Sequence, residues 1–109
     1  MAVSHELERK VDIIYFLRLI DEIQEKQIYL TTHTFSRLEE GERKVFKEQV
    51  IKEIIKYQIP KLVGIQKNGL YATFFDYGKK VLRIMIDIQL DKMNIITFYT
   101  VEPEEVPRI

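Results

Sequence analysis

The second half of the chain alternates between apolar and polar residues, and this period of two constrains the fold more than any other feature. Three turn signals divide residues 61–101, namely Asn68-Gly69, Asp76-Tyr77-Gly78 and Leu90-Asp91-Lys92. Asn-Gly is the strongest short hairpin signal, because both residues tolerate positive φ. The pattern therefore predicts a four-stranded antiparallel meander. A two-residue loop at Asn68-Gly69 would pair Ile65 with Ala72 and Val63 with Phe74.

Alternation in the third predicted strand separates two rows of side chains. We expect one row to face the core: Leu82, Ile84, Ile86 and Ile88. The other row lies on the opposite, open face: Val81, Arg83, Met85, Asp87 and Gln89. A site built on the open face would therefore include members of this second row.

The last predicted strand is apolar on both sides, so its register depends on the length of the preceding turn. We expect Ile96 and Phe98 to join the core. Thr97 and Tyr99 would then share the open face with Arg83. If the turn has two residues, however, Thr97 falls on the core side instead.

The first half of the chain has helical periodicity in two segments. Within residues 4–26, two apolar stripes recur at helical steps: Ile13, Phe16, Leu17, Ile20 and Ile23 in one, Leu7, Val11 and Ile14 in the other. Ser4 is placed to cap this helix. A helix with two stripes must be covered on more than one side, by a broad core or by a partner chain. The second helix is expected from Glu42 to Tyr57, before Pro60.

Shorter segments complete the predicted architecture. Residues 27–32, QIYLTT, are β-branched and aromatic and predict an extra strand. Residues 33–38 are expected to form a short helix, and the proline- and glutamate-rich residues 102–109 an extended tail. Residues 1–109 therefore predict one α+β domain, with N-terminal helices packed on one face of the meander. Residues 1–26 would be an added packing or dimerisation element.

The composition excludes several classes of protein. The chain has 109 residues, 46% of them hydrophobic, which suffices for one domain with its own core. No apolar run approaches the roughly 20 residues of a membrane span, and the N-terminus lacks a signal-peptide core. We therefore expect a cytoplasmic protein that binds no membrane. With no cysteine and two histidines, we expect neither a metal site nor a cofactor.

The formal net charge of zero hides a gradient along the chain. Residues 1–30 carry four basic and six acidic side chains, residues 31–92 carry twelve and eight, and residues 93–109 carry one and three. The local balances of −2, +4 and −2 favour an anion-binding surface in the middle of the chain. The neutral total argues against tight, non-specific binding of nucleic acid.

The candidate site begins in THTFSRL, residues 32–38, where a predicted strand gives way to a helix. A histidine that titrates near neutrality, such as His33, can act first as a base and then as an acid. Arg37 lies four residues later, on the same face of a helix, where it could bind a phosphate bidentately. The remaining candidates are Arg83, Thr97, Tyr99 and, beside the first hairpin, Lys67.

Each candidate also has an ordinary structural explanation. His33 could form only local hydrogen bonds at a helix start, and Arg37 could pair with a nearby glutamate. Arg83 could pair with a carboxylate across the sheet, Tyr99 could simply pack, and Lys67 could be solvated. The residues alone leave both interpretations open.

Three stretches, IYLTTHTFSRLEE, IPKLVGIQKNGLYATFF and VLRIMIDIQLDKMNIITFYTVE, resemble the small prokaryotic proteins grouped with RelE-like and BrnT-like toxins. The resemblance covers about residues 29–101. His33 and Arg37 match a T-x-H-A-x-x-R motif, with threonine in place of the alanine, and Thr97 and Tyr99 match a final I-I-T-x-Y strand. The resemblance implies a RelE-like fold with helices on one face of an antiparallel sheet and metal-independent RNA cleavage on the other.

The first functional hypothesis is therefore a toxin-type endoribonuclease, with RNA as substrate and an antitoxin protein as partner. The 2′-hydroxyl of RNA would attack the adjacent phosphorus with His33 as general base. Arg37 and Arg83 would stabilise charge on the phosphoryl oxygens, while Thr97 and Tyr99 position the phosphate. Arg83 is included because it is predicted to lie on the open face of the sheet, and not because of the resemblance.

The second hypothesis is a non-catalytic interaction module or a homodimeric structural protein on the same fold. Its functional part would be the N-terminal helix, which pairs with its copy or docks a partner through residues 7–23. The neutral charge and the wide apolar surface of this segment favour it.

Overall fold

The computed structural model describes residues 7–30 and 48–108, which form a mixed six-stranded sheet and two helices. In chain order the elements are β1 (Arg9–Lys10), α1 (Ile13–Asp21), β2 (Ile28–Leu30), α2 (Glu48–Tyr57), β3 (Leu62–Ile65), β4 (Tyr71–Tyr77), β5 (Lys80–Ile88) and β6 (Met93–Val101). The strand order across the sheet is β1-β3-β4-β5-β6-β2. The α+β class is confirmed. The sheet is mixed and has six strands, because β2, the expected extra strand, pairs in parallel at one edge and β1, which the sequence does not predict, extends the other edge.

The two faces of the sheet bury separate hydrophobic clusters. The helix-side cluster joins both helices to one face and includes Phe16, Ile20, Ile51, Ile55, Phe75, Leu82, Ile84, Ile86 and Phe98. The second cluster lies on the opposite face and contains Leu62, Ala72, Phe74, Val81 and Met85, with Leu7 and Val106 packed against it. Because β5 is buried on both sides, its two rows are both largely apolar. The predicted core row on β5 is confirmed at Leu82, Ile84 and Ile86.

The N-terminal helix is shorter than the 4–26 segment predicted. α1 has nine residues and begins after Asp12, whose carboxylate accepts a hydrogen bond from the Tyr15 N–H at 3.0 Å. After α1, residues 25–27 form a single 3-10 turn. Ser4, the expected cap, lies outside the described residues.

Residues before α1 join the sheet. β1 pairs antiparallel with β3, and the Val11 N–H donates to the Val63 carbonyl at 2.8 Å. Leu7 and Val11, four residues apart, fit a helical stripe, but in the structure they pack on opposite faces of the sheet. Gly64 allows Leu7 to approach, because a Cβ at that position would overlap the Leu7 side chain. An apolar spacing of four residues thus predicted helix where a short edge strand forms.

The extra strand predicted for residues 27–32 is present as β2. It pairs in parallel with β6, with Leu30 opposite Ile95. Residues 31 and 32 lie outside the described part of the chain, as do the short helix expected at 33–38 and residues 42–47 of the second predicted helix. α2 agrees with the remainder of that helix. Neither described helix is long and apolar enough to cross a membrane.

The C-terminal tail, expected to be extended, contains a 3-10 turn. It spans Pro103–Glu105, and the Glu102 N–H donates to the Glu105 carboxylate at 2.8 Å. Val106 then packs against the second cluster. The tail therefore contributes to covering the face of the sheet that the helices do not.

The first hairpin has a register one residue away from the one predicted. Ile65 pairs with Tyr71 instead of Ala72, and Val63 with Thr73 instead of Phe74. The Gln66 N–H donates to the Leu70 carbonyl at 2.9 Å, so the loop has three residues. Gly69 adopts φ of +85°, as three-residue loops with a left-handed glycine require. The two-residue prediction is wrong because only the glycine, and not the preceding asparagine, adopts positive φ.

The turn between β5 and β6 has two residues. The Gln89 N–H donates to the Lys92 carbonyl at 2.8 Å, and Ile88 pairs with Met93. If the register stayed constant along the two strands, this turn would place Thr97 on the core side of the sheet. The register instead shifts by one residue between Met85 and Ile86 on β5.

A β-bulge at Ile96 produces this shift. Ile86 pairs with Ile95, whereas Met85 pairs with Thr97, so Ile96 has no partner in the ladder. Ile95 and Phe98 are each 1% exposed in the helix-side core, and Ile96 is 40% exposed. The prediction for Phe98 is confirmed, and that for Ile96 is wrong because the bulge turns it outward.

The bulge predicts unequal effects for two adjacent isoleucines. Ile95→Ala removes a buried side chain and should lower the free energy of unfolding by about 2–5 kcal/mol. Ile96→Ala, the matched control, should cost less than about 1 kcal/mol because its side chain is partly solvated. Urea unfolding followed by circular dichroism measures both. A larger loss for Ile96→Ala than for Ile95→Ala would refute the register.

Candidate functional site

Arg83 lies in the middle of β5, on the face opposite the helices. Its neighbours across the sheet are Phe74 on β4 and Tyr99 on β6. The guanidinium carbon is 5.1 Å from the centroid of the Phe74 ring and 6.0 Å from that of the Tyr99 ring. Its Nε donates to the sulfur of Met85 at 3.4 Å. These distances are those of cation–π contacts, which hold the three side chains in a fixed arrangement.

Burial determines what Arg83 can do. The residue is 6% exposed. This desolvation lowers the pKa of the Arg83 guanidinium below its usual value, and the nearby Tyr99 opposes the shift. Arginine nevertheless stays protonated at neutral pH, because its usual pKa lies far above 7. The buried guanidinium therefore presents little surface to a ligand and instead fixes the rings beside it.

Thr97 and Tyr99 lie on the same face of the sheet as Arg83. Thr97 is opposite Met85, and Tyr99 is opposite Arg83. Both side chains are half-buried, so each combines a packed part with an exposed part. The predicted grouping of these two residues with Arg83 agrees with the observed register, although it depends on a bulge that the sequence pattern does not predict.

Lys67 does not join this group. It is exposed in the loop beyond the end of β3, whereas the β3 residue in the row of Arg83 is Leu62. His33 and Arg37, the first half of the predicted site, lie outside the described residues. The structure therefore brings together Arg83, Thr97 and Tyr99, and it separates Lys67 from them.

Phe74 was not predicted as a partner of Arg83. The signal that could have identified it is Gly78, whose φ of +61° allows a two-residue turn that pairs Tyr77 with Lys80. Counting three residues back from Tyr77 and forward from Lys80 places Phe74 opposite Arg83. The turn glycine is visible in the sequence, and the pairing of Phe74 with Arg83 follows once a two-residue turn is assigned to it.

Comparison with known proteins does not identify the site. No protein-family model matches the chain, no curated protein matches it, and no solved structure matches it. Within residues 7–30 and 48–108, no group of three or more histidine, aspartate or glutamate side chains could hold a metal ion. The relation to RelE-like toxins stays a prediction from the sequence motifs.

The contacts of Arg83 predict that lysine cannot replace it. Arg83→Lys keeps the charge but loses the planar group that lies over two rings, so the free energy of unfolding should fall by at least about 1 kcal/mol. Arg108→Lys, at an exposed position, is the matched control and should change nothing measurable. Urea unfolding compares the two. Equal stability of both variants would mean that the ring contacts contribute nothing.

Proposed function

We propose that the chain is a metal-independent endoribonuclease with a RelE-like arrangement, acting in the cytoplasm on RNA and neutralised by an antitoxin partner. The observation that carries this proposal is the parallel pairing of β2 with β6, in which Leu30 lies opposite Ile95. The two strands run in the same direction. Each therefore leads toward its own half of the predicted site, THTFSRL after β2 and Thr97 with Tyr99 along β6.

Chain length limits how far apart the two halves can be. Three residues separate Leu30 from His33, and an extended chain spans at most about 3.6 Å per residue, or roughly 11 Å. Thr97 follows Ile95 by two residues on the neighbouring strand, and paired strands are about 4.8 Å apart. A connection of this length allows His33 to reach the neighbourhood of Thr97, which a β2 at the opposite edge of the sheet would not permit.

The chemistry assigns a role to each residue type. His33 takes the proton of the RNA 2′-hydroxyl as its oxygen attacks the adjacent phosphorus. The bond from phosphorus to the 5′-oxygen breaks, and that oxygen takes up a proton from solvent. The products are a 2′,3′-cyclic phosphate and a 5′-hydroxyl. Arg37 stabilises the charge on the phosphoryl oxygens, and Thr97 and Tyr99 hydrogen-bond to the phosphate.

Arg83 acts in this proposal as a positioning residue. Arg83 is buried, with its guanidinium over the Tyr99 ring, and so orients that ring rather than contacting the phosphate. The excess of basic side chains in residues 31–92, twelve against eight acidic, supports an anionic substrate for this part of the chain.

The proposal predicts that one of the two histidines is essential. His33→Ala should reduce cleavage of a structured RNA, in buffer containing a chelator, by at least about a hundredfold, the range that general acid–base groups contribute. His5→Ala, which removes the other histidine, is the control and should retain full activity. Gel analysis of end-labelled RNA measures the rates and identifies the cyclic phosphate.

Two further variants test the remaining roles. Arg37→Ala should also lose most activity, whereas Tyr99→Phe, which keeps the ring packed on Arg83, should lose activity without losing stability. No cleavage by the wild-type chain, or equal activity of the His33→Ala and His5→Ala proteins, would contradict the proposed function.

A further inference from the structure

A groove runs between the outer sides of α1 and α2, away from the sheet and from the candidate site. Its volume is about 410 Å³, and its lining includes Ile14, Leu17, Arg18, Asp21, Lys56 and Tyr57. Ile14 is 63% exposed and Tyr57 is 67% exposed. Large apolar side chains grouped at the surface commonly mark interaction sites, so this groove is a candidate docking surface.

Hydrogen bonds tie the two walls of the groove together. The Lys56 ammonium group donates to the Ile20 carbonyl at 2.8 Å, and so caps the C-terminal end of α1 from α2. The Tyr57 hydroxyl donates to the Glu25 carboxylate at 3.2 Å. These contacts place the Tyr57 ring beside the chain that follows α1. The groove is thus formed before any partner binds, which lowers the entropic cost of binding.

The charges on α1 suit a second copy of the same surface. Ile14, Arg18 and Asp21 follow steps of four and three residues, so they lie on one side of the helix. Arg18 and Asp21 have opposite charges and lie in the C-terminal half of this stripe. If two α1 helices cross antiparallel about a twofold axis between these residues, Arg18 of each copy faces the partner's Asp21.

The apolar side chains of the groove lie on the same surface as these charges. Ile14 is on the charged side of α1, and Tyr57, whose hydroxyl donates to Glu25, lines the groove from α2. We propose that the α1–α2 groove is a homodimer interface, in which the second copy covers Ile14 and Tyr57 and two Arg18–Asp21 ion pairs form across the axis.

This interface differs from a dimerisation helix spanning residues 7–23. Residues 9 and 10 are in β1, and Leu7 and Val11 pack on the chain's own clusters. The proposed surface instead combines the outer side of α1 with the C-terminal end of α2. It is independent of the ribonuclease proposal, because the groove lies on the other side of the molecule from Tyr99.

A charge-reversal experiment on the full chain tests the pairing. Arg18→Asp makes the stripe doubly acidic, and Asp21→Arg makes it doubly basic. Each variant alone should raise the dimer dissociation constant at least about tenfold, since like charges then face one another. An equimolar mixture should form a heterodimer with wild-type affinity, because both ion pairs are restored with reversed sign. Lys79→Asp, in the turn between β4 and β5, is the control.

Sedimentation equilibrium of each protein at up to about 100 μM measures the association, a range that detects micromolar affinities. A wild-type dimer, weakened in each variant and recovered in the mixture, supports the interface. A wild-type monomer throughout overturns it. So does a dimer that both variants leave unchanged, or a mixture that stays monomeric while circular dichroism shows each variant folded.

Discussion

The pairing of β5 with β6 determines how the rest of the molecule is arranged. Both strands place side chains on both faces of the sheet. A slip of one residue would therefore move every side chain of the slipped strand to the opposite face. The two-residue turn alone would place Thr97 and Tyr99 on the helix side of the sheet. The bulge at Ile96 moves them to the opposite face. As a result, Ile95 and Phe98 can both enter the helix-side core although they are three residues apart.

The same bulge sets the position of the candidate site. Beyond it, Thr97 and Tyr99 point to the face that holds Arg83, while Ile95 before it faces the helices and pairs with Leu30 of β2. A bulge beside an edge strand also bends and twists the strand locally. The segment that carries Thr97 is therefore both next to the end of β2 and turned toward the face without helices.

The sequence predicted most of the fold through periodicity and turn residues. Alternation of apolar and polar residues predicted the strands of the second half. QIYLTT predicted β2, because β-branched and aromatic residues favour strands. Two details depended on contacts between distant residues: the stripe of Leu7 and Val11 indicated helix but forms strand against β3, and the bulge at Ile96 leaves no local signal. A third is local: the Asn68-Gly69 loop has one more residue than expected, because Asn68 does not adopt positive φ. For the site, face alternation grouped Arg83 with Tyr99, whereas the burial of Arg83 by Phe74 required the tertiary register.

The proposed function requires that the segment containing His33 meets β6 at its Thr97–Tyr99 end. Because the chain has no cysteine, His33→Cys provides a unique position for a nitroxide spin label. Paramagnetic broadening of backbone amide signals then reports which strands lie near the label. We expect the strongest broadening at Thr97 and Tyr99 and little at Val63, since β3 lies four strand spacings, about 19 Å, from β2. Sharp signals at Thr97 and Tyr99 beside broadened signals at Val63 would contradict the account.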